Sequence, residues 1–171
     1  SPDPRMVLLA PELRVNRSLA RTIRKAPFDL TLDTAFREVV IRCRETVRPD
    51  QDGTWITDEM VEAYTTLHDL GYAHSVEAWD ADGLAGGLYG VAIGGLFAGE
   101  SMFHRRTDAS KVALAGLTDL LGNGADRLVD VQWCTPHLAR LGAVELSRED
   151  YLERLPDLTL AAGPNWPTPT A

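Results

Sequence analysis

His74-Ser75-Val76-Glu77-Ala78-Trp79, then Asp80-Ala81-Asp82-Gly83, then the run from Leu84 to Ile93 decide the fold. The first block alternates in polarity, and a strand sends successive side chains to opposite faces, so a strand is predicted from Ala73. The second block is made of turn formers and the third returns as a strand, which gives a hairpin. Gly94-Gly95 turns the chain again into Leu96-Phe97-Ala98-Gly99. Antiparallel strands therefore fill the middle of the sequence. Gly86, Gly87, Gly90, Gly94, Gly95 and Gly99 are dense for such a region; strand glycines mark bulges and tight turns, or close approach by a ligand or another backbone.

Helical periods flank these strands. From Asp33 to about Arg44, the spacing of Phe36, Val39, Val40 and Cys43 predicts an amphipathic helix. The loop Pro49-Asp50-Gln51-Asp52-Gly53 follows. A second helix is predicted from Thr57 to Leu70, with Met60, Val61, Tyr64 and Leu67 as its stripe and Gly71 as its stop. Asp108 is expected to cap a helix from Ala109 to about Leu121, with Leu114, Leu117 and Leu121 facing inward. Then come a strand from Leu128 to Trp133, a short helix from Pro136 to Leu141 closed by Gly142, and a brief strand from Ala143 to Leu146. The capping box Ser147-x-x-Asp150 opens a last helix to about Leu155. The order implies an α+β domain over residues 1–155, with helices around a mixed sheet. Residues 156–171, with Pro164, Pro167 and Pro169, read as an extended or disordered tail.

Composition narrows the function. With 171 residues, 44% of them apolar and 25% charged, the chain has the make-up of one ordinary soluble globule. No apolar stretch approaches the roughly 20 residues needed to cross a bilayer, and Ser1-Pro2-Asp3-Pro4-Arg5 is not a signal peptide. Cys43 and Cys134, the only cysteines, sit among core-type residues; two buried free thiols in a reducing cytoplasm are expected ahead of the alternative, a single disulfide. No Cys or His grouping has metal-ligand spacing, so neither a metal nor another cofactor is expected. A net charge of −8 argues against a surface coated for nucleic acid. Yet Arg14, Arg17, Arg21, Arg24 and Lys25 cluster without a single acid between them, and Arg17, Arg21 and Arg24 share helical spacing. That stripe is either a solvated helix face or a local phosphate-binding patch.

The apolar run Leu128-Val129-Asp130-Val131-Gln132-Trp133 carries two polar residues set two apart. On a flat strand Asp130 and Gln132 would share one face. Burying them unpartnered would cost about 1–3 kcal/mol each, so the pair is either a polar site cut into an apolar wall or a strand running out into solvent. No strand-to-helix GxGxxG and no Lys-Ser/Thr follows the glycines, which speaks against nucleotide hydrolysis.

Taken together, Gly53-Thr54-Trp55-Ile56-Thr57, Gly71-Tyr72-Ala73-His74-Ser75-Val76-Glu77, Gly86-Gly87-Leu88-Tyr89-Gly90-Val91-Ala92, Gly99-Glu100-Ser101-Met102-Phe103, Ala109-Ser110-Lys111 and Asp130-Val131-Gln132 closely resemble the leucyl/phenylalanyl-tRNA–protein transferases. His137-Leu138-Ala139-Arg140-Leu141-Gly142-Ala143 and Arg148-x-x-Tyr151 extend the likeness to nearly the whole chain. The resemblance implies an acetyltransferase-like (GNAT) fold used without acetyl-CoA. It also implies transfer of Leu, Phe or Met from aminoacyl-tRNA to a protein that begins with Arg or Lys, for degradation by the N-end rule. By motif match, Asp130, Gln132 and Glu100 would form the catalytic group. Leu88, Phe97, Met102, Leu114, Leu117 and Val129 would line the amino-acid pocket. Trp55 would stack on the terminal adenosine, and Arg17, Arg21, Arg24 and Lys25 would contact the acceptor stem. Glu77 and Glu100 are candidates to meet a cationic acceptor. Relatives carry a further stretch ahead of Ser1-Pro2-Asp3-Pro4-Arg5, with a Gly-x-Phe-Pro-Trp-like segment, that these residues do not include. Two other readings therefore accompany the first: transfer to a peptide or smaller amine acceptor, and a non-catalytic tRNA- or degron-binding module.

The chemistry suits such residues. An aminoacyl ester is already activated, so aminolysis needs a neutral amine, a proton path and support for an oxyanion, with no metal and no enzyme nucleophile. Asp130 is expected to orient Gln132, whose amide oxygen would meet the attacking amine.

Overall fold

A computed structural model describes residues 3–9, 12–25, 27–46, 53–122, 124, 126–133 and 135–167. Expectations for Ser1-Pro2, Pro49-Asp50-Gln51-Asp52, Cys134 and residues 168–171 lie outside the described residues. The chain runs β1 (Arg5–Leu9), α1 (Arg17–Lys25), β2 (Asp29–Leu32), α2 (Phe36–Glu45), α3 (Asp58–Asp69), β3 (Ala73–Asp80), β4 (Gly83–Ile93), β5 (Leu96–His104), α4 (Ala109–Leu121), β6 (Leu128–Gln132), α5 (Pro136–Arg140), β7 (Val144–Leu146) and α6 (Arg148–Leu160). It is a mixed α+β fold. The strands form one seven-stranded sheet in the order β2-β3-β4-β5-β6-β1-β7, antiparallel except where β5 pairs with β6.

The predicted hairpin is the centre of that sheet, and its alternation sorts the core. Val76, Leu88 and Phe97 face α4 and pack with Leu114 and Leu117. Ala73, Tyr89 and Phe103 face the other way, against Phe36, Val39 and Val40 of α2 and Val61 of α3. Leu88 and Tyr89 are adjacent in sequence and lie in different cores, as a pleated strand requires. Gly86 lets α4 approach: a Cβ there would lie 2.7 Å from the Cβ of Ala109. Its close neighbour is the chain itself, not a ligand.

Several expectations change. Strands β1 and β2 have no counterpart among the elements the sequence predicts. Met6, Val7 and Leu8 are all buried, so β1 has no polar alternation to reveal it, and β2 is four residues long. Helix α2 starts at Phe36, because Asp33 takes a left-handed φ of 59° and accepts the Ser75 N–H at 2.8 Å. Asp108 precedes α4 with a φ of 69° and makes no side-chain cap; its carboxylate instead accepts bonds from Lys111 and from Thr22 of α1. Ser147 caps α6 as its capping box predicts, and Thr57, expected as the first residue of its helix, is instead the cap of α3. Helix α6 does not stop at Leu155 but continues through Pro156 to Leu160. Buried Leu158 packs on Val7, Leu96 and Leu128, which offsets the proline's missing donor.

Candidate active site

The site begins where two neighbouring strands part. β5 and β6 pair at Leu96↔Leu128, Phe97↔Val129 and Ala98↔Asp130, and pairing ends there although both strands continue. Each carries a bulge at the same level. Tyr89↔Ser101 is followed by Gly90↔Gly99, which leaves Glu100 as the extra residue of β5. Val7↔Asp130 is followed by Met6↔Gln132, which leaves Val131 as the extra residue of β6. Bulges break the period of two and re-aim side chains.

Asp130 and Gln132 consequently do not share one flat face. Gln132 has a φ of 65°, and the Trp133 N–H donates to the Val131 carbonyl at 2.8 Å, a γ-turn centred on Gln132. Its Nε2 donates to the Gly99 carbonyl at 2.8 Å and reaches Oε2 of Glu100 at 3.4 Å, so the side chain bridges the gap where ladder bonds cease. Asp130 is fully buried behind it. Its Oδ1 accepts the backbone N–H of Gln132 at 2.9 Å, and its Oδ2 accepts Arg5 Nε at 2.7 Å and the Tyr151 hydroxyl at 2.8 Å. Asp130 thus orients Gln132 through the main chain, not through the amide. Arg5 and Tyr151, its other partners, sit at opposite ends of the chain. Strand order brings Arg5 in, since β1 lies beside β6, and α6 brings Tyr151. Burial, followed by the Asp130 carboxylate, pushes the Tyr151 phenol well above its usual pKa, so it stays a donor.

Glu100 is the carboxylate of the cavity. Burial raises its pKa above the ordinary glutamate value, and the charge of Asp130 adds to this, while hydrogen bonds with Tyr64 and Gln132 and the charge of Arg5 pull it down. Tyr64, which the sequence places in an apolar helical stripe, has a second role. Its ring packs at 5.2 Å on Tyr89, and its hydroxyl binds Glu100.

A cavity of about 660 Å³ opens at this junction. Leu88, Phe97, Met102, Leu114, Leu117 and Val129 all line it, together with Trp55, Glu100 and Gln132. Trp133, Val131, Thr135 and Leu138 also line it, and no sequence signal marks them for it. Trp133 is 64% exposed and Trp55 40%, so each offers ring surface to solvent. The volume lies in the range of small-ligand pockets, with apolar walls and a few convergent polar groups.

A family profile described as leucyl/phenylalanyl-tRNA protein transferase matches residues 7–156. The chain belongs to that family. Curated leucyl/phenylalanyl-tRNA–protein transferases are similar over most of its length. That of Anaeromyxobacter sp. (strain Fw109-5) is 56% identical over 155 residues, 91% of this chain and 66% of the relative. That of Dechloromonas aromatica (strain RCB) is 51% identical over 170 residues, 98% of this chain and 73% of the relative. The chain therefore spans about two thirds to three quarters of the length of these two relatives. Among solved structures, a functionally unknown conserved protein from Staphylococcus epidermidis ATCC 12228 aligns with a TM-score of 0.48 at 10% identity, over 78% of this chain and 65% of that one.

Other residues of this leucyl/phenylalanyl-tRNA–protein transferase family member lie apart from the cavity. Arg17, Arg21, Arg24 and Lys25 are exposed along α1, and none of them lines it. Glu77 is fully buried, and Thr31, Thr34 and Ser75 donate to its carboxylate, so it holds β2 to β3 and does not face an acceptor. Asp33, His68 and His74 have ligand atoms within 4.8 Å of one another, which sequence spacing does not suggest. Those atoms are engaged with one another and with the backbone: His74 Nδ1 is 2.7 Å from Asp33 Oδ2, and His68 Nδ1 is 2.8 Å from the Ala73 carbonyl. No helix among the described residues is long and apolar enough to cross a membrane.

Proposed function

We propose that this protein transfers Leu, Phe or Met from aminoacyl-tRNA to the terminal amine of an acceptor protein that begins with Arg or Lys. The observation that carries this reading is the meeting of an apolar cavity with the Gln132 amide and the Glu100 carboxylate at the parting of β5 and β6. Family membership supports the same reaction. In this account the unit that works runs from β1 through α6 and has a GNAT-like sheet. It acts in the cytoplasm, and its product enters N-end rule degradation.

The side chain of the esterified amino acid enters between Leu88, Phe97, Met102, Leu114, Leu117 and Val129, with its ester carbonyl near Gln132. Trp55 stacks on the terminal adenine, and the α1 arginines with Lys25 follow the acceptor stem phosphates. The acceptor amine nitrogen attacks the ester carbon. A C–N bond forms as the carbonyl π pair moves onto oxygen. The C–O bond then breaks, and the ribose oxygen leaves with a proton while the amine loses one. Gln132 spends its amide N–H on Gly99 and Glu100, so its amide oxygen is aimed as an acceptor for an N–H of the amine. Glu100 receives the departing amine proton, a task favoured by its raised pKa. Asp130 touches no substrate and fixes the γ-turn that aims Gln132. Positioning supplies most of the rate, since the ester is already activated.

The test is transfer of radiolabelled leucine from Leu-tRNA to matched acceptor proteins that begin with Arg, Lys or Glu, with a short peptide amine in competition. Label on the Arg and Lys proteins alone supports the proposal. Label confined to the peptide amine would replace it with transfer to small acceptors.

A further inference from the structure

Residues 161–167 lead past the end of α6 to Trp166, which lies flat on His74 with ring centroids 4.2 Å apart and planes 7° from parallel. The same indole meets the Phe97 ring at 5.8 Å. His74 is a rigid backing. Its Nδ1 is 2.7 Å from the Asp33 carboxylate and its Nε2 is 3.2 Å from the Gly71 carbonyl. Phe97 lines the cavity, whereas Trp166 does not. On another side the Phe97 ring is confined by Gly90, where even a Cβ would come within 2.7 Å of its Cε1. The ring therefore has backbone on one side, the indole on another, and open cavity beside it.

We propose that Trp166 sets the depth of the cavity through Phe97 and so selects the size of the side chain that is transferred. It is a specificity-determining residue outside the cavity, and this inference rests on the cavity's being the seat of the transferred side chain. A packed interior relaxes only in part when a large group is removed, and it relaxes by moving what can rotate. His74 is fastened at both ring nitrogens. Phe97 is free to swing into the space an absent indole would leave, which deepens the cavity and favours Phe over Leu.

The experiment compares kcat/KM for Phe-tRNA and Leu-tRNA, because a ratio is insensitive to a general loss of folded enzyme. Trp166→Ala should raise the Phe-to-Leu ratio by about 10-fold, the low end of what a methylene-sized change is worth in a hydrophobic pocket. Trp166→Phe should move it the same way by less. Phe97→Leu should raise the ratio from within the cavity, and adding Trp166→Ala to it should change the ratio no further. A wild-type ratio in folded Trp166→Ala, with a shifted ratio in Phe97→Leu, would overturn the role of Trp166 and leave the cavity reading intact. An unchanged ratio in Phe97→Leu would overturn both. Should Trp166→Ala not fold, Trp166→Phe decides: a small shift towards Phe supports the inference, and none contradicts it.

Discussion

The Tyr151 hydroxyl donates to Oδ2 of Asp130 at 2.8 Å, the carboxylate whose Oδ1 accepts the backbone N–H of Gln132. Asp130 has no exposed surface, and its other oxygen holds the N–H of Gln132 in a left-handed turn. A buried carboxylate with three donors is a fixed anchor. Tyr151→Phe should destabilise the fold by about 1–2 kcal/mol, measured by urea unfolding. It should lower kcat while leaving KM for aminoacyl-tRNA nearly unchanged, because the turn loosens and the cavity does not.

Arg5 neutralises the same carboxylate from β1. Arg5→Ala would leave a buried charge without its cation, at a cost of about 3–5 kcal/mol. Arg5→Lys should restore part of the stability but little of the rate, since an ammonium lacks the directed Nε bond. Equal rates in the Lys variant and the wild type would mean that charge alone suffices.

Glu100 gives a pH signature. Its folded-state pKa is raised above the ordinary value, so the folded protein binds that proton more tightly than the unfolded chain does. Its stabilising effect is therefore full below the ordinary glutamate value of 4.5 and is lost as pH rises through the folded-state pKa. Relative to Glu100→Gln, the wild type should lose stability over that window, read by melting at a series of pH values. In transfer assays, the logarithm of the rate should fall with a slope near two below the Glu100 pKa and near one above it, the remaining slope being that of the acceptor amine. Glu100→Gln should keep the single slope throughout.

Trp55 stands 40% exposed at the cavity. Loss of adenine stacking should cost about 1–3 kcal/mol, which is a rise in KM for aminoacyl-tRNA of about 5- to 150-fold in Trp55→Ala. Little change in KM would assign the ring to packing alone.

The exposed cations of α1 should declare themselves through salt. Changing Arg17, Arg21, Arg24 and Lys25 to Gln should flatten the dependence of log KM on log salt by up to about 0.9 for each phosphate left without its cation. An identical slope would make α1 a solvated face only.

What the sequence reveals follows from what repeats locally. The period of α3 is legible because one face of it is buried, whereas β3 and β4, buried on both faces, are legible through the turn formers Asp80-Ala81-Asp82-Gly83 that join them. All six apolar residues matched by motif do line one cavity. Arg5 and Tyr151 are not legible as partners of Asp130, because their contact depends on β1 entering the sheet beside β6, a fact of topology with no local signature. The bulges at Glu100 and Val131 are equally hidden: a period-two reading of β6 predicts a shared face for Asp130 and Gln132, and the γ-turn removes it. The sequence groups Trp166 with a proline-rich tail, yet stacking on His74 gives it a place against the core.

The central claim is that the Gln132 amide, aimed by Asp130, positions the attacking amine. The most direct measurement is single-turnover transfer of leucine from Leu-tRNA to an Arg-started acceptor by wild type and Gln132→Ala, each verified as folded by circular dichroism. The expected result is a fall of about 100-fold or more in the variant, with Leu-tRNA binding retained. Wild-type turnover by folded Gln132→Ala would contradict it.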